Sequence, residues 1–221
     1  MKFATHGLLM AALTLWAGQA QATNALAVNG SFEQTGASAV FTGGVAPVSG
    51  PDSTAITGWA VANAAQFQIN RNYDASAGKT SVELSGTGSG IFTTIDNFVV
   101  GSTYSISFDL SGNPDATVNP IVKVTASDIG EIDSFTYDSP VGQTAGNMGW
   151  ARVATNFIAT NRSHRISFYN GSITATNYFG PVIDNVFIGA AVPEPQDWVL
   201  FIIGLGMIGA VSRRRVTQQA A

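Results

Sequence analysis

Apolar and polar positions alternate with a period of two through most of this chain. Tyr104, Ile106, Phe108 and Leu110 interleave with Thr103, Ser105, Ser107 and Asp109. That is the pattern of a strand with one face buried and the other wet. Similar short runs occupy residues 26–33, 56–62, 66–70, 81–85, 91–95, 121–126, 152–158, 165–169 and 182–188. Turn-forming clusters separate them, such as Gly86-Thr87-Gly88-Ser89-Gly90, Gly112-Asn113-Pro114-Asp115 and Asn170-Gly171-Ser172. Between the two termini no run repeats at the helical period. The pattern predicts an all-β domain over residues 23–190, an antiparallel β-sandwich of the jelly-roll kind. It shows no internal repeat and no linker before residue 190.

Both ends break the period. Lys2 and His6 precede an apolar run over residues 7–17, then Ala20-Gln21-Ala22 offers a small-x-small cleavage site. Residues 1–22 therefore read as a secretory signal peptide, to be set aside from the fold. At the other end, Val192-Pro193-Glu194-Pro195 leads into Trp198 and about 14 uncharged residues up to Val211, followed by Arg213, Arg214 and Arg215. As a helix that run spans roughly 21 Å, short for a bilayer core. Trp198 suits one membrane interface, and the arginines suit the cytoplasmic side. Physical reasoning alone leaves an ordinary C-terminal anchor open. The ordered set of parts in residues 192–216 resembles the PEP-CTERM sorting signal of Gram-negative bacteria that make extracellular polysaccharide. It departs from that signal at Gln196-Asp197-Trp198-Val199, where Ala-Trp-Ala is commoner. The resemblance implies transient insertion in the inner membrane by a short transmembrane helix, cleavage by an exosortase-type enzyme, and a secreted or cell-surface destination.

Charge narrows the partners. The whole chain carries 10 Lys and Arg against 14 Asp and Glu. Its central domain has only Arg71, Lys79, Lys123, Arg152, Arg162 and Arg165 as cations. No basic stripe exists for a nucleic acid. The chain has no cysteine, which excludes thiol catalysis and Cys-ligated zinc. A secreted domain of this size has room for a core without disulfides. Sparse charge with abundant Gly, Ser, Thr and Asn suits a surface that faces sugars or an extracellular matrix.

The domain opens Val28-Asn29-Gly30-Ser31-Phe32-Glu33 and closes Gly180-Pro181-Val182-Ile183-Asp184-Asn185-Val186-Phe187-Ile188. Between these stand Ile56-Thr57-Gly58-Trp59, Ser81-Val82-Glu83-Leu84-Ser85-Gly86 and Phe108-Asp109-Leu110-Ser111-Gly112-Asn113-Pro114. The ordered set resembles the choice-of-anchor C family of bacterial surface proteins. It is also similar to a plant cell-wall domain family of unknown function with the same galactose-binding-like jelly roll. Strict alternation through residues 182–188 would aim Asp184 into the core beside Val182, Val186 and Ile188, where a carboxylate needs a partner. In sugar-binding jelly rolls with these opening and closing motifs, the two acids hold a structural calcium. By resemblance that gives Glu33 and Asp184 as metal ligands, with backbone carbonyls completing an oxygen shell. The alternative is that Asp184 meets backbone amides at a bulge, or Arg152 or Arg165, while Glu33 faces solvent.

Catalysis finds little footing. His164 is the domain's one histidine; it reads as a solvated turn residue, and no Gly-x-Ser-x-Gly elbow accompanies it. Asp109, Ser111, Asn113 and Asp115 have the odd-position spacing of a helical-hand calcium loop, but Pro114 and Pro120 stand where a Gly and a bidentate Glu are needed. The 86–90 glycine loop leads into a strand and not a helix, so it is no phosphate cradle. The expectation is therefore a non-enzyme.

For sugar binding, the chemistry asks for an exposed ring beside amides and charges. Trp59 lies in an apolar run and reads as core. Trp150 follows a glycine-bounded loop; Tyr73 shares a polar loop with Arg71 and Asn72; Tyr178 stands beside Asn177. These are the candidate ligand-binding residues. The reading is a surface or exopolysaccharide-matrix protein whose jelly roll binds polysaccharide without catalysis, or else serves as matrix material with no specific ligand.

Overall fold

A computed structural model describes residues 25–62, 67–116, 119–172 and 179–191. The segments predicted as signal peptide (1–22) and sorting signal (192–216, with Pro193, Glu194, Pro195, Trp198, Arg213, Arg214 and Arg215) and the candidate Tyr178 lie outside these residues. In chain order the described strands are β1 (Val45–Val48), β2 (Asp52–Ile56), β3 (Trp59–Val61), β4 (Phe67–Asn70), β5 (Ser81–Glu83) and β6 (Gly90–Ile95). There follow β7 (Thr103–Gly112), β8 (Ile121–Ala126), β9 (Gly130–Thr136), β10 (Ala151–Ile158), β11 (His164–Asn170) and β12 (Pro181–Ala190). No helix occurs among the described residues.

The strands form two six-stranded sheets, the first in the order β1-β4-β5-β12-β7-β10 and the second β2-β3-β6-β11-β8-β9. Every pairing is antiparallel. The core between the sheets follows from the period of two: Tyr104, Ile106, Phe108 and Leu110 of β7 are buried, and their alternate neighbours face outward. Phe108 of the first sheet meets Phe168 of the second with ring centroids 5.1 Å apart and nearly perpendicular planes. Phe32 and Phe168 flank Trp59 at 5.3 and 6.0 Å, and the indole N–H of Trp59 donates to Val28 O. Each such fully buried ring contributes about 1.5–3 kcal/mol of apolar burial. Trp59 is therefore core, as its apolar run predicted.

Three expectations need correction. The run 26–33 is not a strand: Asn29 and Phe32 adopt φ of 56° and 57°, and an extended chain has no left-handed residues. The Asn29 side chain holds this turn by donating to Gln34 O and Thr57 O while accepting from Gln34 N. Strict alternation fails in β12, where the register against β7 shifts between Asp184 and Phe187. One extra residue, with Asn185 at φ 50°, lets Ile183, Val186 and Ile188 all join the core. Asp184 instead pairs across to Asp109 on the outward face. It is nevertheless 0% exposed, because a loop covers it. Finally, His164 is buried, not solvated: Thr160 N and Asn161 N donate to Nε2, while Nδ1 lies 2.9 Å from Ser127 O. Two donors on Nε2 require the proton on Nδ1.

Candidate functional site

The outward face of the first sheet is capped by two loops, residues 71–80 between β4 and β5 and residues 137–150 before β10. An Asx turn starts the first: Asn70 Oδ1 accepts from Asn72 N at 2.7 Å and Tyr73 N at 3.2 Å. Asn72 Nδ2 then donates to Gly43 O at 2.7 Å. Arg71 lays its guanidinium 3.8 Å from the centre of the Phe41 ring. Both Arg71 and Asn72 are exposed. Tyr73 is half-buried and turns its hydroxyl inward, toward Glu83 Oε2 at 3.2 Å. Trp150, from the second loop, is half-exposed; its indole N–H donates to Asp74 O at 2.8 Å, which fixes the ring against the first loop. The structure thus gathers Arg71, Asn72, Tyr73 and Trp150 around one loop, though with Tyr73 serving as an anchor.

Beneath the loop lies a polar layer that sequence reasoning missed. Glu83 is 1% exposed and accepts from Asn113 Nδ2 at 2.9 Å and Gly180 N at 3.1 Å. Burial raises its carboxyl above the usual range, against the lowering effect of those donors. Burial and the neighbouring Glu83 carboxylate push the Tyr73 phenol up as well. Glu83 points to the face of β5 opposite to that of the core residue Val82, where Tyr73, Asn113 and Gly180 meet its carboxyl. The second loop is tied down by Gln143, whose amide donates to Ser111 Oγ, Gly112 O and Met148 O. Tyr137 OH adds contacts to Met148 O and Gly149 O.

Glu33 and Asp184 both meet the 71–80 loop. Glu33 Oε1 accepts from Lys79 N at 2.8 Å and Thr80 N at 2.7 Å. Asp184 Oδ2 accepts from Ala77 N at 2.8 Å, and Oδ1 from Asn185 N at 2.6 Å. Burial pushes Asp184 up to about 7, with the Ala77 and Asn185 amides pulling the other way. Two acids far apart in the chain thus converge on one short segment. Their hard carboxylate oxygens, with loop carbonyls, are the ligand chemistry calcium takes. The amides already occupy part of that capacity, and among the described residues no three His, Cys, Asp or Glu gather as a metal group.

Asp109 completes the layer. Its Oδ1 is 3.1 Å from Arg152 NH1, and its Oδ2 accepts from Asn185 Nδ2 at 3.0 Å. Arg152 also donates to Asn185 O and Ser107 Oγ. No sequence motif marks Ser76, which reaches both Asp109 and Asp184.

Two six-stranded antiparallel sheets packed face to face make this domain a β-sandwich of the jelly-roll kind. The chain belongs to the DUF642 family, described as a protein of unknown function, whose model matches residues 25–189. No curated protein matches it. Among solved structures it is similar to a native family 35 carbohydrate-binding module from Clostridium thermocellum, with 15% identity, TM-score 0.46, and coverage of 66% of this chain and 98% of that one. It is also similar to TmCBM61 in complex with β-1,4-galactotriose, with 14% identity, TM-score 0.42, and coverage of 61% and 90%. A carbohydrate-binding module from Cellvibrio mixtus lichenase 5A, in complex with cellotriose, gives 12% identity, TM-score 0.41, and coverage of 67% and 99%.

Proposed function

We propose that this protein is a secreted, non-catalytic glycan-binding module, sorted by its C-terminal signal through an exosortase-type enzyme to the cell surface or exopolysaccharide matrix. The observation that carries the binding reading is Trp150. Its half-exposed ring is locked by the Asp74 carbonyl beside a loop that presents Arg71 and Asn72 to solvent. A fixed ring stacks on the C–H face of a sugar at little entropic cost, while guanidinium and amide groups take its hydroxyls. The hydrogen-bonded layer beneath holds this loop in place, which favours a preorganised site. A non-catalytic role fits His164, whose two ring nitrogens are taken up by backbone groups.

Calcium belongs to the same reading. Glu33 and Asp184 would hold it and it would brace the 71–80 loop, a structural role with no chemistry of its own. The test of function is a glycan array and polysaccharide pull-down with the chain and its Trp150→Ala variant. Saturable binding weakened at least tenfold by the substitution supports the reading. Failure to bind any glycan overturns it and leaves a matrix component without a specific ligand.

A further inference from the structure

The outward face of the second sheet carries a separate set of groups, on the opposite sheet from Trp150. Along β11, Arg165, Ser167 and Tyr169 alternate with the core residues Ile166 and Phe168 and point outward together. The register sets Ser167 between Phe92 of β6 and Thr125 of β8, and Tyr169 between Gly90 and Lys123. Arg165 pairs with Thr94.

Two features set this face apart from an ordinary wet sheet. First, Tyr169 lies over the backbone of β6: a Cβ added at Gly90 would come within 2.3 Å of Tyr169 Cδ1 and 2.6 Å of Cε1. The missing side chain is what lets the ring settle there, and Tyr169 remains partly exposed. Second, the Arg165 guanidinium stands 4.6 Å from the centre of the Phe92 ring and is exposed. The ion pairs among the described residues use Lys123 with Glu131 and Arg152 with Asp109, so Arg165 has no carboxylate partner among them. A planar cation braced on an aromatic ring, with its N–H fork free, is suited to bidentate capture of a carboxylate.

We propose that this face binds an acidic polysaccharide, a chain of uronate sugars laid along β11. Tyr169 stacks on one sugar ring, Arg165 pairs with a carboxylate, and the Thr94 and Thr125 hydroxyls complete the polar contacts. From Arg165 to Tyr169 the strand covers about 13 Å, room for a short run of sugar rings. The groups sit on strands, so the platform is rigid. The charge argument is local: the domain as a whole is acidic, and a polyanion needs a cation that no carboxylate already satisfies. This inference rests on the glycan-binding reading and adds a second face and a ligand class to it.

The test is calorimetric titration of the full-length chain with alginate, a polyuronate, and with its esterified, uncharged form. Wild type is expected to prefer alginate, with affinity falling as salt rises. Tyr169→Ala and Arg165→Gln are each expected to weaken alginate binding at least tenfold, and Arg165→Gln to abolish both the preference and the salt dependence. Melting temperatures of the variants, expected to match wild type, exclude misfolding as the cause. Undiminished alginate binding by both second-sheet variants overturns the proposal. So does failure of wild type to bind alginate, and binding of neutral glycans in that case leaves the broader reading standing. Failure to bind any glycan ends both.

Discussion

Asp184 and Asp109 face each other across the β12–β7 pairing with one serine hydroxyl between them. Ser76 Oγ is 2.7 Å from Asp109 Oδ2 and 3.2 Å from Asp184 Oδ2. One hydroxyl proton serves only one carboxylate. When Asp184 is protonated it donates to Ser76 Oγ, which frees Ser76 to donate to Asp109, itself charge-paired with Arg152. The loop bearing Ser76 is thereby fastened to the sheet through two strands at once.

Removing that hydroxyl should loosen the cap. Ser76→Ala is expected to destabilise the fold by about 1–3 kcal/mol, the usual consequence of stranding a buried hydrogen-bonding group. Urea denaturation checks it. A change below a few tenths of a kcal/mol would mean the shared contact carries no stability.

Gly30 is a tighter constraint. A Cβ there would lie 1.9 Å from Val186 O, a backbone atom, and Val186 N donates to Gly30 O at 2.8 Å. Gly30→Ala must push the opening turn off β12. A loss of about 2 kcal/mol or more is expected, read as a lowered denaturation midpoint. Gly146→Ala, where an added Cβ meets nothing within 4 Å, is the control and should change little.

Stability should depend on pH through Glu83. Burial raises its folded-state carboxyl above the unfolded value, so the folded protein keeps the proton to higher pH. That contribution is complete below the usual carboxylate range and is lost as pH rises through the raised value. Melting temperature measured upward from about pH 4 should therefore fall through this window, and Glu83→Gln should reduce the slope. An identical slope in the variant would show that Glu83 does not drive it.

Calcium should raise the melting temperature if Glu33 and Asp184 hold it. Saturation at a hundredfold over the dissociation constant corresponds to about 2.7 kcal/mol. Scanning calorimetry with calcium and with chelator is the measurement. Glu33→Gln and Asp184→Asn should each abolish the difference. A wild-type melting curve indifferent to chelation removes the ion from this account.

The strands with a stark periodicity were legible: the interior strands β6, β7, β8 and β11, and the edge strand β10, each lie within a residue or two of the predicted run. The strands that escaped, β1, β2 and β9, are all at sheet edges. An edge strand packs less of itself and tolerates polar residues and proline, as in Val-Ala-Pro-Val of β1 and Asp-Ser-Thr-Ala-Ile of β2. Among the candidate residues, Arg71 and Asn72 are exposed on the 71–80 loop, and Trp150 of the second loop is half-exposed. Tyr73 looked equally open in sequence, and the positions of Glu83 and Asn113 explain its inward hydroxyl.

Local alternation determined which residues face the core, because the side-chain period of a strand belongs to the strand alone. It was enough for the sandwich, for core residues such as Trp59 and Phe108, and for the outward placement of Asp109. What covers an outward face is decided elsewhere in the chain. Ala77 and Asp184 meet across 107 residues, and Lys79 and Glu33 across 46. The burial of Asp184 and its raised proton affinity come from loop closure over the sheet. A pattern with a period of two carries no record of that closure.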